Sequence, residues 1–173
     1  MDEEAFADDE FLPYWAELWP SALALTEALP EGMGGRKTIE LGSGLGLPAL
    51  VAAARGAEVT ALDWALPAVE LLRVNAARNG IELEARHGDW RTFAGSYDLV
   101  LGSDLLYEER NAEALLDVLP ALAPEVLLAE PGRPPAAGFL ERARAEWAVE
   151  SLADRVYRLT RATRADPPTP TGG

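Results

Sequence analysis

Five short runs rich in branched aliphatic residues, KTIEL, AEVTALD, IELEAR, YDLVLGS and EVLLAE, punctuate the chain, and all but the third lead into a stretch with helical periodicity. Short, largely apolar runs suit strands buried on both faces, and parallel strands need a crossover between them, usually a helix. The intervening segments fit that need. LPALVAAARG closes at Gly56, and ALPAVELLRVNAARNG places Leu66, Val69, Leu72 and Ala76 on one face with Gly80 in the C-terminal cap position. Ala112, Leu115, Leu116, Leu119 and Leu122 recur at three- and four-residue steps. AGFLERARAEW reads as a last helix behind a loop marked by Pro131, Pro134 and Pro135, and HGDWRTFAGS as a loop after the third run.

The two ends of the pattern differ from its middle. Ser21 is placed to cap a short helix carrying Leu23, Leu25 and Leu29, which Pro30 and Gly32 end. AVESLA and VYRLTRAT are separated only by Asp154 and Arg155, a connection that suits an antiparallel hairpin and cannot hold a crossover helix. The expected architecture is therefore α/β: a doubly wound, mainly parallel sheet with helices on both faces and a C-terminal antiparallel hairpin. Residues 1–12 read as an acidic, flexible leader, 13–164 as one domain, and 165–173 as a disordered tail.

Charge narrows the function. A formal net charge of −14 leaves no broad basic face, which disfavours a duplex nucleic acid or an anionic membrane as partner. Absence of cysteine removes disulfides and thiol catalysis, and no spacing of the remaining ligand types suggests a metal. An acidic N-terminus is unlike a secretory signal, and the expected location is cytoplasmic.

Strand ends carry the chemistry in sheets of this kind, because ligands collect at the carboxyl ends near the switch in strand order. ELGSGLG follows the first strand with Gly42, Gly44 and Gly46 at alternate positions, and Leu47 stands where a dinucleotide fingerprint places its third glycine. Glu40 beside the loop would repel a pyrophosphate and attract a cationic, phosphate-free nucleoside. Asp63 ends the second strand, where a carboxylate can hold ribose hydroxyls or cap the next helix. Trp64 adjoins it. Asp89 and Trp90 follow the third strand, the one able to reach an adenine amino group and the other able to stack on the ring or pack in the core. His87, the lone histidine, reads as a local hydrogen-bonding group. Trp15 and Trp19 share a face over the pocket or cover the core.

Taken together, ELGSGLG, VTALD and YDLVLGSDLLYEE resemble the first, second-strand and fourth-strand motifs of the class I, Rossmann-like S-adenosylmethionine-dependent methyltransferases. LWPSALALTEAL, GDW and SDLLY are similar to the branch holding many protein-lysine methyltransferases, with its Asp-x-x-Tyr motif. The resemblance implies S-adenosyl-L-methionine as cofactor, lined by Trp19, Glu40, Gly42, Asp63, Trp90 and Ser103, and the reading of the same loops adds Ser43, Gly44, Gly46, Trp64 and Asp89 to the expected cofactor site. It implies Asp104 and Tyr107 facing the methyl acceptor, with Asp104 orienting an amine for in-line attack. The acceptor is expected to be a protein lysine or, alternatively, a small amine. A nucleotide-dependent oxidoreductase and a non-catalytic cofactor-binding module are the rival classes.

Overall fold

The computed structural model describes residues 14–161, so the expected leader and tail, with the outer limits of the expected domain, lie outside the described residues. Seven strands form one sheet: β1 (Lys37–Leu41), β2 (Glu58–Asp63), β3 (Glu84–His87), β4 (Leu99–Ser103), β5 (Glu125–Ala129), β6 (Ala148–Ala153) and β7 (Val156–Thr160). Their order across the sheet is β3-β2-β1-β4-β5-β7-β6. The first five run parallel, and β7 pairs antiparallel with both β5 and β6. The order reverses between β1 and β4, so the glycine loop after Leu41 and the Asp-x-x-Tyr segment after Ser103 lie side by side.

Two-residue alternation sends the strands' side chains into two separate cores. Ile39, Leu41, Leu62, Val100, Val126 and Leu128 pack with α4 (Glu109–Leu122) and α5 (Pro134–Ala143). Val59, Ala61, Leu99, Leu101, Leu127 and Ala129 pack on the other face with α1 (Pro20–Ala28), α2 (Leu47–Ala54) and α3 (Leu66–Asn79). Ala112, Leu115, Leu119 and Leu122 of α4 are all buried, as their spacing requires, while Leu116 is only partly so.

Several boundaries differ from those read in the sequence. Ser21 does not cap α1: Trp19 holds the cap position without a side-chain bond, Pro20 opens the helix, and Ser21 is buried. Pro134 and Pro135 likewise open α5 instead of marking a loop, because a residue without an N–H loses nothing in a first turn. That helix stops at Ala143, short of the Trp147 expected to end it. β3 begins at Glu84, not Ile81, and a 3-10 turn over Trp90–Thr92 interrupts the expected loop. Gly80 closes α3 in the left-handed conformation at φ 65°, as expected. No helix among the described residues is long and apolar enough to cross a membrane.

Candidate active site

One cleft of about 920 Å³ opens at the carboxyl ends of the parallel strands. Trp19, Gly42, Ser43, Gly44, Gly46, Asp63, Trp64, Trp90, Ser103, Asp104 and Tyr107 all line it. Glu40 and Asp89 do not.

The three loop glycines have φ of 62°, 50° and 73°, a region that side chains enter at a cost. A Cβ on Gly42 would stand 2.8 Å from Leu105 Cδ2, one on Gly44 3.1 Å from the Trp15 carbonyl oxygen, and one on Gly46 inside the Leu72 side chain. Glycine is thus demanded by the protein's own neighbours as well as by backbone conformation. Because Leu72 is fully buried and cannot step aside, Gly46→Ala is expected to lower stability by about 2–4 kcal/mol, read from the urea midpoint.

Glu40 stands below the cleft rather than at its entrance. Its side chain rises on the α2 face of the sheet, is 1 % exposed, and its Oε2 accepts from the Ala49 N–H at 2.9 Å. Gly46, at the cap position of α2, has no side chain to serve that helix, so the strand's glutamate serves it from below. Burial drives the Glu40 carboxyl well above its ordinary range, against the Ala49 hydrogen bond and with help from nearby Asp63. A carboxyl so raised contributes stability that is complete below the ordinary value and lost as pH climbs through the folded one. Glu40→Gln, which keeps the acceptor and cannot ionise, is expected to match the parent in acid and to exceed its unfolding midpoint increasingly as pH rises.

Asp63 joins two loops. Its Oδ2 accepts from the Gly44 N–H at 2.7 Å and its Oδ1 from the Ala65 N–H at 2.8 Å, the residue before α3. It is 4 % exposed, and burial raises its carboxyl although the amides of Ala65, Gly44 and Trp64, and His87, pull the other way. Asp63 thus steadies the entry to α3 without being its cap residue, which is Ala65, and it lies in the cleft wall. His87 Nε2 donates to the Trp64 carbonyl oxygen at 2.8 Å, the local role expected of it. Trp64 itself is 67 % exposed along the cleft, whereas Trp90 is buried, serving cleft wall and core at once.

Asp89 is committed elsewhere. It caps the 3-10 turn, accepting from the Arg91 N–H at 3.0 Å and pairing with its guanidinium. Arg91 in turn lies over the Trp90 ring. Burial opposes the ionised form of Asp89, and the bonds from Arg91 outweigh it, so the carboxyl is lowered.

Asp104 adopts φ 55°, a conformation unusual for a residue with a side chain. Its N–H donates to Ala129 and its Oδ1 accepts from Arg133 Nη1 at 2.7 Å. It does not cap α4, whose cap residue is Glu108. Tyr107 is half exposed at the rim. Sequence reasoning stopped at the fourth strand and missed Glu130, Arg133 and Asn111, which brace this turn from α4 and the end of β5. The signal was present: EPGR follows the fifth parallel strand at the same end of the sheet as the other motifs.

The residues fit a nucleoside cofactor on one observation in particular. Ser43 Oγ is buried in the cleft wall without a hydrogen-bond partner, a polar atom that a ligand would satisfy. Comparison with known proteins points the same way. The chain is 29 % identical to rat electron transfer flavoprotein beta subunit lysine methyltransferase over 90 % of its own length and 60 % of the relative's. It is 36 % identical to zebrafish protein N-lysine methyltransferase METTL21A over 62 % and 55 %. It spans about 60 % or less of the length of these curated relatives. Magnesium protoporphyrin IX methyltransferase of Synechocystis, solved with bound SAM, shares the fold at a TM-score of 0.64 and 17 % identity, over 82 % of this chain and 76 % of that one. The lysine methyltransferase family model matches residues 15–131, and the chain belongs to that family.

Proposed function

We propose that the protein transfers a methyl group from S-adenosylmethionine to the side-chain amine of a lysine in another protein. One observation carries the choice of a macromolecular acceptor. Among the described residues, five of the eight large apolar side chains that stand exposed, Tyr14, Leu18, Trp64, Leu66 and Tyr107, ring this cleft. An apolar rim about a concave site is what a protein surface would cover. Glu17 and Glu108 stand among them, on a chain of net charge −14, which favours a basic segment.

Within the cleft, the loop of Gly42–Gly46 and Ser43 Oγ would hold the cofactor's polar tail, Asp63 its ribose, and Trp64 with Trp90 its adenine. The cofactor supplies an activated methyl on a sulfonium. What the chain adds is placement: Arg133 occupies Oδ1 of Asp104, leaving Oδ2 to accept from the acceptor amine and turn its lone pair toward the methyl. Tyr107 narrows the approach from the rim. The amine must arrive unprotonated or pass its proton to solvent before attack, and the pairing of Arg133 with Asp104 lessens the carboxylate's pull toward the ammonium form.

Calorimetry with S-adenosylmethionine and with its demethylated product is the first test, and binding of both is expected. Incubation of tritiated cofactor with an extract of the encoding cells should then place label on lysine in protein. Label confined to the small-molecule fraction would replace the protein acceptor by a small amine, and failure to bind either nucleoside would overturn the whole reading.

A further inference from the structure

Three buried or half-buried side chains outside the glycine and Asp-x-x-Tyr motifs converge on the turn between β4 and α4. Glu130, 1 % exposed just past the end of β5, accepts with Oε1 from two successive amides, Leu105 N–H at 2.9 Å and Leu106 N–H at 3.1 Å. Asn111 of α4, also 1 % exposed, donates from Nδ2 to the Leu105 carbonyl at 3.0 Å. Arg133 binds Asp104. Only Pro131 and Gly132, the glycine at φ 89°, separate Glu130 from Arg133, so one short loop holds the turn through both side chains.

The grip is needed because Asp104 sits at a positive φ, and a strained residue holds its conformation only where its surroundings fix it. Two atoms are left over. Glu130 Oε2 and Asn111 Oδ1 are both buried without a partner, so the bracing of the turn holds two surplus acceptors and lacks a donor.

We propose that Glu130 is the positioning residue of the acceptor turn, fixing with Arg133 the places of Asp104 and Tyr107 for the incoming lysine. The inference rests on the methyl-transfer reading above. Glu130 performs this task best as a neutral acid, since its proton makes Oε2 the donor that the turn lacks. Burial is the main cause that lifts its carboxyl to about 8, opposed by the amides of Leu106 and Leu105, with Asp104 adding to the rise and Arg133 working against it. Arg155 is the other charged residue at this loop: its carbonyl accepts from the Glu130 N–H, and a Cβ on Gly132 would meet its guanidinium. α4 contributes the neutral Asn111.

Glu130→Gln and Glu130→Ala separate positioning from mere support of the fold. Transfer of tritiated methyl to the protein extract is measured across pH for each, alongside cofactor affinity by calorimetry and the ¹⁵N amide shifts of Leu105 and Leu106. Alanine is expected to lower kcat/KM about a hundredfold, with cofactor affinity held within about twofold. Glutamine, which offers both an acceptor and a fixed donor, is expected to restore transfer to within about threefold near pH 7, and its ratio to the parent is expected to climb as pH passes about 8. The two amide shifts should titrate near that value in the parent and stay flat in the glutamine variant. Full transfer by Glu130→Ala overturns the proposal, as does a ratio independent of pH with amides that do not titrate. Should the alanine variant fail to fold, the glutamine ratio and the amide titration still decide. If the parent labels no protein while the amides titrate, the lysine reading fails and the positioning of the turn stands.

Discussion

Asp104→Ala is expected to slow methyl transfer by about a hundredfold or more while cofactor affinity stays within about threefold. The loss belongs to orientation. Methyl transfer draws its acceleration from holding two reactants in line, and displacement of the nucleophile by an ångström forfeits about two orders of magnitude. Asp104 is fixed more firmly than an ordinary loop aspartate: Ala129 takes its N–H, Arg133 its Oδ1, and its backbone is held at positive φ. Alanine removes the acceptor and frees the Arg133 guanidinium to turn toward the slot, where it would repel a lysine. Single-turnover transfer on the protein extract, with calorimetry for the cofactor, checks the result. Full activity with Asp104 removed would assign the orienting role elsewhere.

A second large effect is expected at Asp63, with the opposite signature. Asp63→Ala should weaken S-adenosylmethionine binding by about a hundredfold, because it removes the proposed ribose contact, and it strands two backbone donors, Gly44 N–H and Ala65 N–H. The stranded donors lower the stability of free and bound protein alike, so the loss of affinity comes from the ribose: hydrogen bonds to a charged acceptor are worth about 1.5–3 kcal/mol each, and a pair of them accounts for that factor. Asp63→Asn should recover part of the affinity, since its amide oxygen can still accept one of the two bonds. Calorimetry on the three proteins reads the order directly. Equal affinity for parent and alanine variant would remove Asp63 from the cofactor contacts.

The sheet and its cleft were legible because their signals are local. Strands buried on both faces announce themselves as apolar runs, and the motifs after β1, β2, β3 and β4 had to meet once those strands were parallel neighbours. Helix starts were less legible. The expectation of serine and aspartate caps missed that proline stands in the first turn of α1, α2, α3 and α5, none of which has a side-chain bond from its cap residue, and that one first-turn amide takes a partner outside its helix. For α2 that partner is Glu40, nine residues earlier and on another element, so an acid that looked like a ligand for a cationic cofactor serves a helix instead. Glu130 was legible as a strand-end residue but its role was not: it reaches back 25 and 24 residues to Leu105 and Leu106, and no spacing rule connects them. The loop glycines stood out in the sequence by their alternate spacing, but the atoms that would collide with a Cβ, those of Leu105, Trp15 and Leu72, lie far along the chain or outside the motif.

The place of β7 bears on how the chain reaches this state during synthesis. It is the last strand of the described sequence, yet it lies inside the sheet, between β5 and β6, and supplies the fully buried Val156 and Leu159. A polypeptide leaving the ribosome N-terminus first would carry β5 with an unsaturated ladder until Thr160 has emerged. Stalling or proteolytic nicking near Asp154 would release a species whose open ladder recruits strands from other molecules, so quality control is needed most in the interval before β7 emerges.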